Sequence, residues 1–445
     1  MKLTLYLTDN EMADAFYDDD YDSDEISEGS DLEIDSGDEY NYFMTDRRKN
    51  ENYEHDEWLA QMIEESNDTE LEGFEHDWEY DKLSTRVPNL YTEQAGPIFS
   101  LPKESQPLDY FDKFWGEEMW QHIVTETNRY AQQEQDKNPP SPSAPNWSPI
   151  TVPIMKKFVG ICMLMGIVRL PSKKYYWSKE DSFLAKDFGD LMSKDRFYQI
   201  WRYLHLSNNE DPLPEQPDKL HTLRWFFGHM SEKFRSMYTC NGSVAIDESV
   251  LKIRGRLSHR SDAWGVKVWV LAEGETGYMM DFDVYADKTE DEMKGFTVQA
   301  VSDLLQNYNH KNLKVYLDKI YTTVPFFKEL HTRGIQACGI VDKGMKGLPE
   351  QIIPKKGKFA NHEYRVAQKD ELSACTFRDY KPFMMLSNFH DPMQTGKVKR
   401  ERQQVVVPSM VADFEKQMNG VNWCCQMIGT NFCHFHLFDT VKILY

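Results

Sequence analysis

The sequence predicts an α/β fold in which a mixed β-sheet is flanked by helices. Two short apolar segments, Val244–Ile246 and Leu313–Leu317, are each followed at once by an aspartate. Strand-like and helix-like segments alternate between residues 243 and 341, and a long stretch with apolar residues at helical spacing precedes them. Because strands and helices alternate, we expect helices to cover the faces of the sheet.

The negative charge of the chain is concentrated in its first part. The 445 residues carry a formal charge of −22, but residues 1–100 hold 30 acidic and 6 basic side chains, which leaves 43 acidic and 45 basic ones in the remainder. Mutual repulsion and sparse aliphatic residues predict that residues 1–96 form an acidic disordered region. A slightly basic body behind an acidic tail fits a nucleic-acid-binding protein better than a uniformly acidic enzyme.

Cysteine usage and hydropathy bound the class of protein further. Seven cysteines, an odd number without a C-x-x-C pair, predict free thiols in a reducing compartment. The longest apolar run, residues 158–168, is too short to span a bilayer, and the first residues do not have the pattern of a signal peptide. We therefore expect no membrane partner.

Residues 97–238 are predicted to form a helical domain. Apolar residues recur at helical spacing from Leu108 onward and again from Met119 to Tyr130. A proline-rich break at residues 139–145 separates them from an apolar segment, residues 154–170, that predicts a buried helix. Ordinary packing of amphipathic helices explains the aromatic residues here without any ligand.

Residues 239–341 are predicted to form the sheet-rich core. Their segments follow the order strand, strand, strand, helix, strand, helix, strand. That order is the RNase H-like arrangement, a mixed sheet flanked by helices. The last helix is predicted to begin near Val324 and to stop at Gly334.

Asp247 and Asp318 are the candidate metal ligands. Two strands that each deliver one carboxylate to the same sheet end would hold divalent ions between them, and such ions activate an attacking oxygen and stabilise a leaving one. Basic residues beside these acids would suit a phosphate backbone. They are Lys252, Arg254, Arg256 and Lys319. For the first strand alone, an edge strand with an exposed Asp-Glu pair is the better interpretation, and it is the second strand that favours a metal site.

Two segments follow the predicted core. Residues 342–408 are rich in Lys, Gly and Pro with short strand-like pieces, and their lysines make the segment basic. Their lysines could follow a DNA backbone, although exposed loop lysines are common in any protein. Residues 409–445 form the last segment.

The motifs around the two aspartates resemble those of the piggyBac family of DNA transposases and the proteins derived from them. The first motif is present as Ile246-Asp247-Glu248 with Arg254-Gly255-Arg256. The second is present as Asp318 with Tyr321 and Thr322, then Gly334 and Gly339-Ile340-Val341. The resemblance covers residues 97–427 and implies a helical dimerisation and DNA-binding domain at residues 97–238. It further implies that residues 342–408 are a basic insertion domain. It also implies three metal-binding acids, a cut-and-paste activity at TTAA sites, Mg²⁺ or Mn²⁺ as cofactor, and location in the nucleus.

The chain departs from the family at the third acid. Asn422 stands where the resemblance places the third catalytic aspartate, and Cys425 stands where a further aspartate is usual. An amide oxygen can bind a metal ion but lacks the negative charge that neutralises it. We expect residues 409–445 to be a degenerate, shortened end of the transposase domain, because residues 427–445 resemble neither the family's later helices nor its zinc module.

Two functions from different classes are consistent with these motifs. One is a transposase-derived protein that binds double-stranded DNA, possesses Asp247 and Asp318, and is impaired in catalysis by Asn422. The alternative is a host-adapted DNA-binding or regulatory protein with no catalysis. A homodimer is compatible with either function.

Overall fold

The structure of the protein is a computed structural model. It describes residues 74–137, 147–168, 170, 172–178, 188–211, 220–252, 265–284, 296–355, 359–400 and 403–430. Most of the acidic head, the proline-rich break, the basic run that contains Arg254 and Arg256, and the chain from residue 431 lie outside the described residues.

Helices dominate the part of the chain before residue 238. Helix α1 spans Pro107–Lys137 and is interrupted at Gly116, whose φ of 61° separates the two helices that the sequence predicts. The helices that follow are α2 (Val152–Ile167), α3 (Phe188–Leu191), α4 (Lys194–Tyr203) and α5 (Arg224–Met237), with short 3-10 turns at Lys173–Trp177 and His221–Leu223.

These helices pack around a core of their own. Met119 and Trp120 of α1, Phe158 of α2 and Phe197 of α4 are among its buried members. Helix α2 corresponds to the predicted buried helix, yet Ile167 at its end is 79% exposed. No helix within the described ranges is long and apolar enough to cross a membrane.

An eight-stranded mixed sheet forms the centre of the rest of the chain. After the short pair β1 (Gly96–Pro97) and β2 (Tyr238–Thr239), its first strands are β3 (Ser243–Lys252), β4 (Gly265–Glu273) and β5 (Met279–Val284). They are followed by α6 (Phe296–Leu304), a 3-10 turn (Gln306–Tyr308), β6 (Lys314–Leu317), α7 (Val324–Thr332) and β7 (Gln336–Val341). The later elements are β8 (Tyr364–Lys369), β9 (Leu372–Arg378), β10 (Pro382–Ser387), β11 (Thr395–Arg400), β12 (Gln403–Pro408), α8 (Ser409–Gln417) and α9 (Gly420–Thr430).

The strand order is β5-β4-β3-β6-β7-β10-β9-β8. Strand β6 pairs in parallel with both β3 and β7, and the other pairs are antiparallel. The segment that the sequence assigns to a basic insertion therefore supplies three strands, β8 to β10, to the main sheet. The expected boundary at residues 341 and 342 falls inside this sheet, because β7 pairs directly with β10.

Each face of the sheet carries a separate apolar core. Alternate residues of β3 divide between them: Val244 and Ile246 belong to one core, which we call the α6–α7 face, and Ala245 belongs to the other, which we call the α8–α9 face. Residues of α6 and α7 such as Val301 and Phe327 cover the first face. Helices α8 and α9 cover the second together with β11 and β12, which form a separate two-stranded ribbon.

The last part of the predicted acidic head, residues 74–96, packs against the sheet as a strap. Trp78 is 5% exposed and its indole N–H donates to the carbonyl of Gly347 at 3.2 Å. Glu79 and Gln368 of β8 form an antiparallel bridge. The strap then crosses the starts of β7 and β6, where Gln336 and Asn312 donate to the carbonyls of Asn89 and Leu90. The average charge of residues 1–96 predicted a disordered region up to residue 96, because it takes no account of apolar residues such as Trp78 that pack against the sheet.

Candidate active site

The pairing of β3 with β6 places Asp247 and Asp318 side by side. Ile246 and Leu317 are partners in this parallel register, and the two aspartates follow them directly. Adjacent strands are about 4.8 Å apart, so neighbouring carboxylates at such a position come within reach of one ion. The structure therefore brings together the two residues that the sequence singled out.

Strand alternation places both side chains on the α8–α9 face. Ala245 and Tyr316, each two residues earlier on its strand, belong to the core on that face. Asp247 is 7% exposed, and its Oδ1 atom accepts a hydrogen bond from the backbone N–H of Glu248 at 2.9 Å. Asp318 is half-buried. A buried carboxylate beside a second one costs free energy unless a cation or donors neutralise the pair.

Glu248 lies on the opposite face, where a hydrogen-bonded chain joins three segments. The Trp269 indole of β4 donates to the Tyr321 hydroxyl at 3.0 Å, and that hydroxyl donates to Glu248 Oε1 at 3.3 Å. Burial raises the pKa of the Tyr321 phenol well above its usual range, and the charges of Glu248, Asp247 and Asp318 raise it further. The neutral Tyr321 phenol thus links Glu248 of β3 to Trp269 of β4 just after the end of β6.

The loop after β6 is held by its own backbone. The Asp318 carbonyl accepts from the Tyr321 N–H at 3.1 Å and from the Thr322 hydroxyl at 2.9 Å. Thr323 then caps α7 by accepting from the N–H of Phe326. A tight turn followed at once by a capped helix leaves little freedom in the backbone that carries Asp318.

Helix α9 carries Asn422 across the same face. Its start lies close to Glu273, the register partner of Val244, and the Cys425 thiol lies 3.2 Å from the Ser249 hydroxyl. The helix therefore runs in the same direction as β3. Because a helix rises 1.5 Å per residue, Asn422 lies near the level of Asp247. The sequence alignment of Asn422 with a third ligand position is compatible with this placement.

The donor set at this sheet end is incomplete for a divalent ion. No group of three or more His, Cys, Asp or Glu side chains within the described part of the chain is arranged to hold a metal. Two carboxylates and one neutral amide supply less negative charge than three carboxylates, so the residues present fit a catalytic metal pair poorly.

The structure describes two of the four predicted DNA-binding residues. Lys319 follows Asp318 directly and is half-buried, and Lys252 is the last residue of β3. Arg254 and Arg256 lie outside the described residues. Their proposed roles remain predictions.

Sequence reasoning missed a polar network at the other end of the same strands. The buried His390 ring contacts the Ser387 hydroxyl through Nδ1 at 2.8 Å and Asp413 through Nε2 at 3.1 Å. Asp413 lines an open pocket of about 430 Å³ together with Ser243 and Lys314, the first residues of β3 and β6. Asp413 thus lies at the amino end of β6, whereas Asp318 follows its carboxyl end. Asp413 therefore does not supply a third acid beside Asp247 and Asp318.

The comparisons with known proteins agree on one family. A family profile described as transposase IS4 matches residues 106–440. The chain is similar to piggyBac transposable element-derived protein 2 from Homo sapiens, with 26% identity over 353 residues, which cover 74% of this chain and 57% of that protein. It is also similar to piggyBac transposable element-derived protein 5 from Homo sapiens, with 21% identity over 366 residues, 76% of this chain and 67% of that protein. The chain thus spans little more than half the length of the first of these relatives.

The fold is shared with solved structures. One of them is the cryo-EM structure of the piggyBac transposase synaptic complex with hairpin DNA, and the TM-score is 0.62 at 20% sequence identity. The match covers 76% of this chain and 71% of that chain. At this identity the likeness concerns the fold, a mixed sheet flanked by helices.

Proposed function

This chain belongs to the piggyBac-like family of transposase-derived proteins, and from that premise we propose that it binds double-stranded DNA and is impaired in catalysis. The observation that carries the proposal is the pairing of β3 with β6, which sets Asp247 beside Asp318 while Asn422 occupies the helix above them. In this proposal the site keeps two of the three acids of a transposase active site, and a neutral amide stands in place of the third.

The strands around the site support an RNase H-like core. Strands β3, β4 and β5 form an antiparallel meander, and β6 and β7 continue from β3 in parallel with helices between them. In this proposal residues 97–238 are the helical dimerisation and DNA-binding domain. Residues 239–341 form the core together with β8 to β10, which complete its sheet.

Mg²⁺ or Mn²⁺ is the cofactor class that two carboxylates would attract. Asp247 and Asp318 would hold the ion, and a bound ion activates an attacking oxygen and stabilises a leaving one. Since the third donor is neutral, we expect weak binding and derive no catalytic step through the metal. A soft ion is disfavoured because carboxylate and amide oxygens prefer hard cations.

Double-stranded DNA is the proposed partner, with TTAA sites the ancestral target and the nucleus the compartment. The solved relative forms a complex with hairpin DNA, which supports DNA as the class of partner. Lys319, Lys252 at the end of β3, and Arg254 and Arg256 after it would contact phosphates. A homodimer is the proposed assembly, because symmetric dimers suit ligands with two ends.

A cleavage assay with the full chain tests catalysis. The substrate is a labelled TTAA-flanked donor duplex with Mg²⁺ or Mn²⁺, and the proteins are the natural chain, Asn422→Asp, and Asn422→Asp with Cys425→Asp. We expect cleavage by the single variant to be roughly 100-fold faster or more than by the natural chain, because metal stabilisation of the transition state amounts to several kcal/mol. Adding Asp247→Asn to the restored variant is the control and should abolish the gain.

The outcomes separate the parts of the proposal. Equal and rapid cleavage by the natural chain and Asn422→Asp would overturn the claim of impairment. Failure of all variants to retain the duplex in a binding assay would overturn the claim of DNA binding.

A regulatory DNA-binding protein without any catalysis is the second candidate. The absence of a third acidic, histidine or cysteine ligand among the described residues favours it. For this candidate Asp247→Ala leaves DNA affinity unchanged and Asn422→Asp restores nothing. The same two assays therefore distinguish the candidates.

A further inference from the structure

The ribbon formed by β11 and β12 has two different faces. Its strands pair in register over six positions, from Thr395 with Pro408 to Arg400 with Gln403. Val398, Val405 and Val407 are buried on the α8–α9 face. Gly396 lies so close to Ala412 of α8 that a Cβ atom would meet the Ala412 side chain at 2.7 Å. The inner face of the ribbon is therefore fixed against α8.

The outer face of the ribbon is exposed and basic. Lys397 pairs with Val406 and Lys399 pairs with Gln404, and these side chains all lie on the exposed face. Val406 is 48% exposed although its neighbours along the strand are buried. Within the described residues of the ribbon there is no acidic side chain. The exposed face of the ribbon thus combines two lysines with one amide and one apolar side chain.

Arg400, on the inner face of the ribbon, pairs with two nearby acids. The Arg400 guanidinium donates to Asp379 at 3.0 Å and forms a second ion pair with Glu415 of α8. The Arg400 side chain is 11% exposed, and the side chains of Asp379 and Glu415 are each 13% exposed. The positive charge of Arg400 offsets one of these two negative charges. Its contacts also tie the ribbon to the β9–β10 turn, where Tyr380 and Lys381 are exposed.

We propose that this outer face is a second DNA-contact surface, in which the ribbon enters the major groove of a duplex. The major groove is about 12 Å wide and accepts a two-stranded β-ribbon. Lys397 and Lys399 contact phosphates across the groove. Gln404 matches the donor and acceptor of adenine, and Val406 matches the thymine methyl group, so the ribbon prefers A·T pairs. This inference rests on the proposed function and adds a surface remote from Asp247 in sequence.

Fluorescence anisotropy of the full chain with labelled 20-base-pair duplexes tests the proposal. The duplexes are A·T-rich and G·C-rich, and KCl is varied. The natural chain should prefer the A·T-rich duplex, and Lys397→Gln with Lys399→Gln should lower the slope of log K against log salt by about 2, since each phosphate contact contributes about 0.9. Gln404→Ala should reduce the A·T preference roughly tenfold. The matched control is Lys82→Gln with Lys103→Gln, the same charge change at exposed positions before α1.

The result separates this inference from the function on which it rests. If the natural chain binds neither duplex, the proposed function fails. If it binds, but the ribbon variant has the salt slope of the control pair, the ribbon is not a contact surface. An unchanged A·T preference in Gln404→Ala, or tighter binding of an RNA duplex with its deep and narrow major groove, would overturn the placement in the groove.

Discussion

His390 shows how one buried side chain links stability to pH. It is 3% exposed, and burial lowers the pKa of its imidazole although the Asp413 carboxylate opposes the shift. The ring is therefore neutral near pH 7 and donates through Nε2 to Asp413. Burial alone would raise the pKa of Asp413, but the hydrogen bond from His390 and the charges of nearby lysines lower it. Protonation of His390 would place a positive charge in these buried surroundings, where Asp413 and Lys314 are the charged neighbours among the described residues.

We expect the melting temperature to fall as the pH decreases from about 6.5 to 5. The imidazole in the unfolded chain has a pKa of about 6.5, and the folded pKa is lower, so the unfolded chain binds the proton first and stability is lost on acidification. His390→Gln should flatten this dependence in thermal melts at several pH values. Burial lowers the pKa of His205 as well, so part of the slope should persist.

The control for that experiment is His76→Gln, because the His76 side chain is 66% exposed. It should melt with the same pH dependence as the natural chain. Parallel curves for the natural chain and His390→Gln would show that His390 does not carry the effect.

At the scale of elements, the contact between β6 and β7 positions Asp318. Gly339 of β7 is the register partner of Leu317. A Cβ atom on Gly339 would meet the Thr322 hydroxyl at 2.2 Å and the Leu317 carbonyl at 2.6 Å. The second contact is with backbone, so it cannot be relieved by rotating a side chain. Glycine here lets the loop that carries Asp318 lie directly on the neighbouring strand.

Gly339→Ala should lower the free energy of unfolding by about 1–3 kcal/mol, because the overpacked loop must shift. Urea denaturation measures this change. Gly228→Ala is the control, since nothing lies within 4 Å of a Cβ there and the residue is inside α5. Alanine at that position should stabilise by roughly 0.5–1 kcal/mol. Equal effects of both substitutions would contradict the close packing of β6 on β7.

At the scale of the whole molecule, the strap joins the helical part of the chain to the far edge of the sheet. Trp78 is one of the buried residues of the α6–α7 core, and Arg86 donates to the carbonyls of Asp370 and Glu371 in the β8–β9 turn. Gly96 and Pro97 then pair with β2, which follows α5. The strap therefore contacts both ends of the described fold.

Trp78→Ala should lower the free energy of unfolding by about 3–5 kcal/mol, as expected for a large buried aromatic residue. Val87→Ala, in the same strap but 91% exposed, should change it by no more than about 0.5 kcal/mol. Thermal or chemical denaturation of both variants measures the difference. A small effect of Trp78→Ala would mean that the strap adds little to the core.

The sequence predicted the sheet with its flanking helices, and it singled out the two aspartates that the register places together. Those features follow from local patterns, because a strand that ends in one acid can be read from neighbouring residues. The strap and the membership of β8 to β10 in the main sheet depend on contacts between distant segments, such as Glu79 with Gln368 and Val341 with Met384. Average charge and loop composition carry no information on such pairings. The His390 network was not predicted for the same reason, because His390 and Asp413 are brought together only by the fold.

The bridge between Glu79 and Gln368 also affects whether two molecules can pair through the edge strand β8. The outer border of β8 would otherwise offer unpaired N–H and C=O groups to any extended polypeptide. Glu79 donates to and accepts from Gln368 at 2.8 and 2.9 Å, so this stretch of the border is already saturated. Two molecules cannot pair their sheets edge to edge at that position, because Glu79 of the strap already occupies the backbone groups of Gln368.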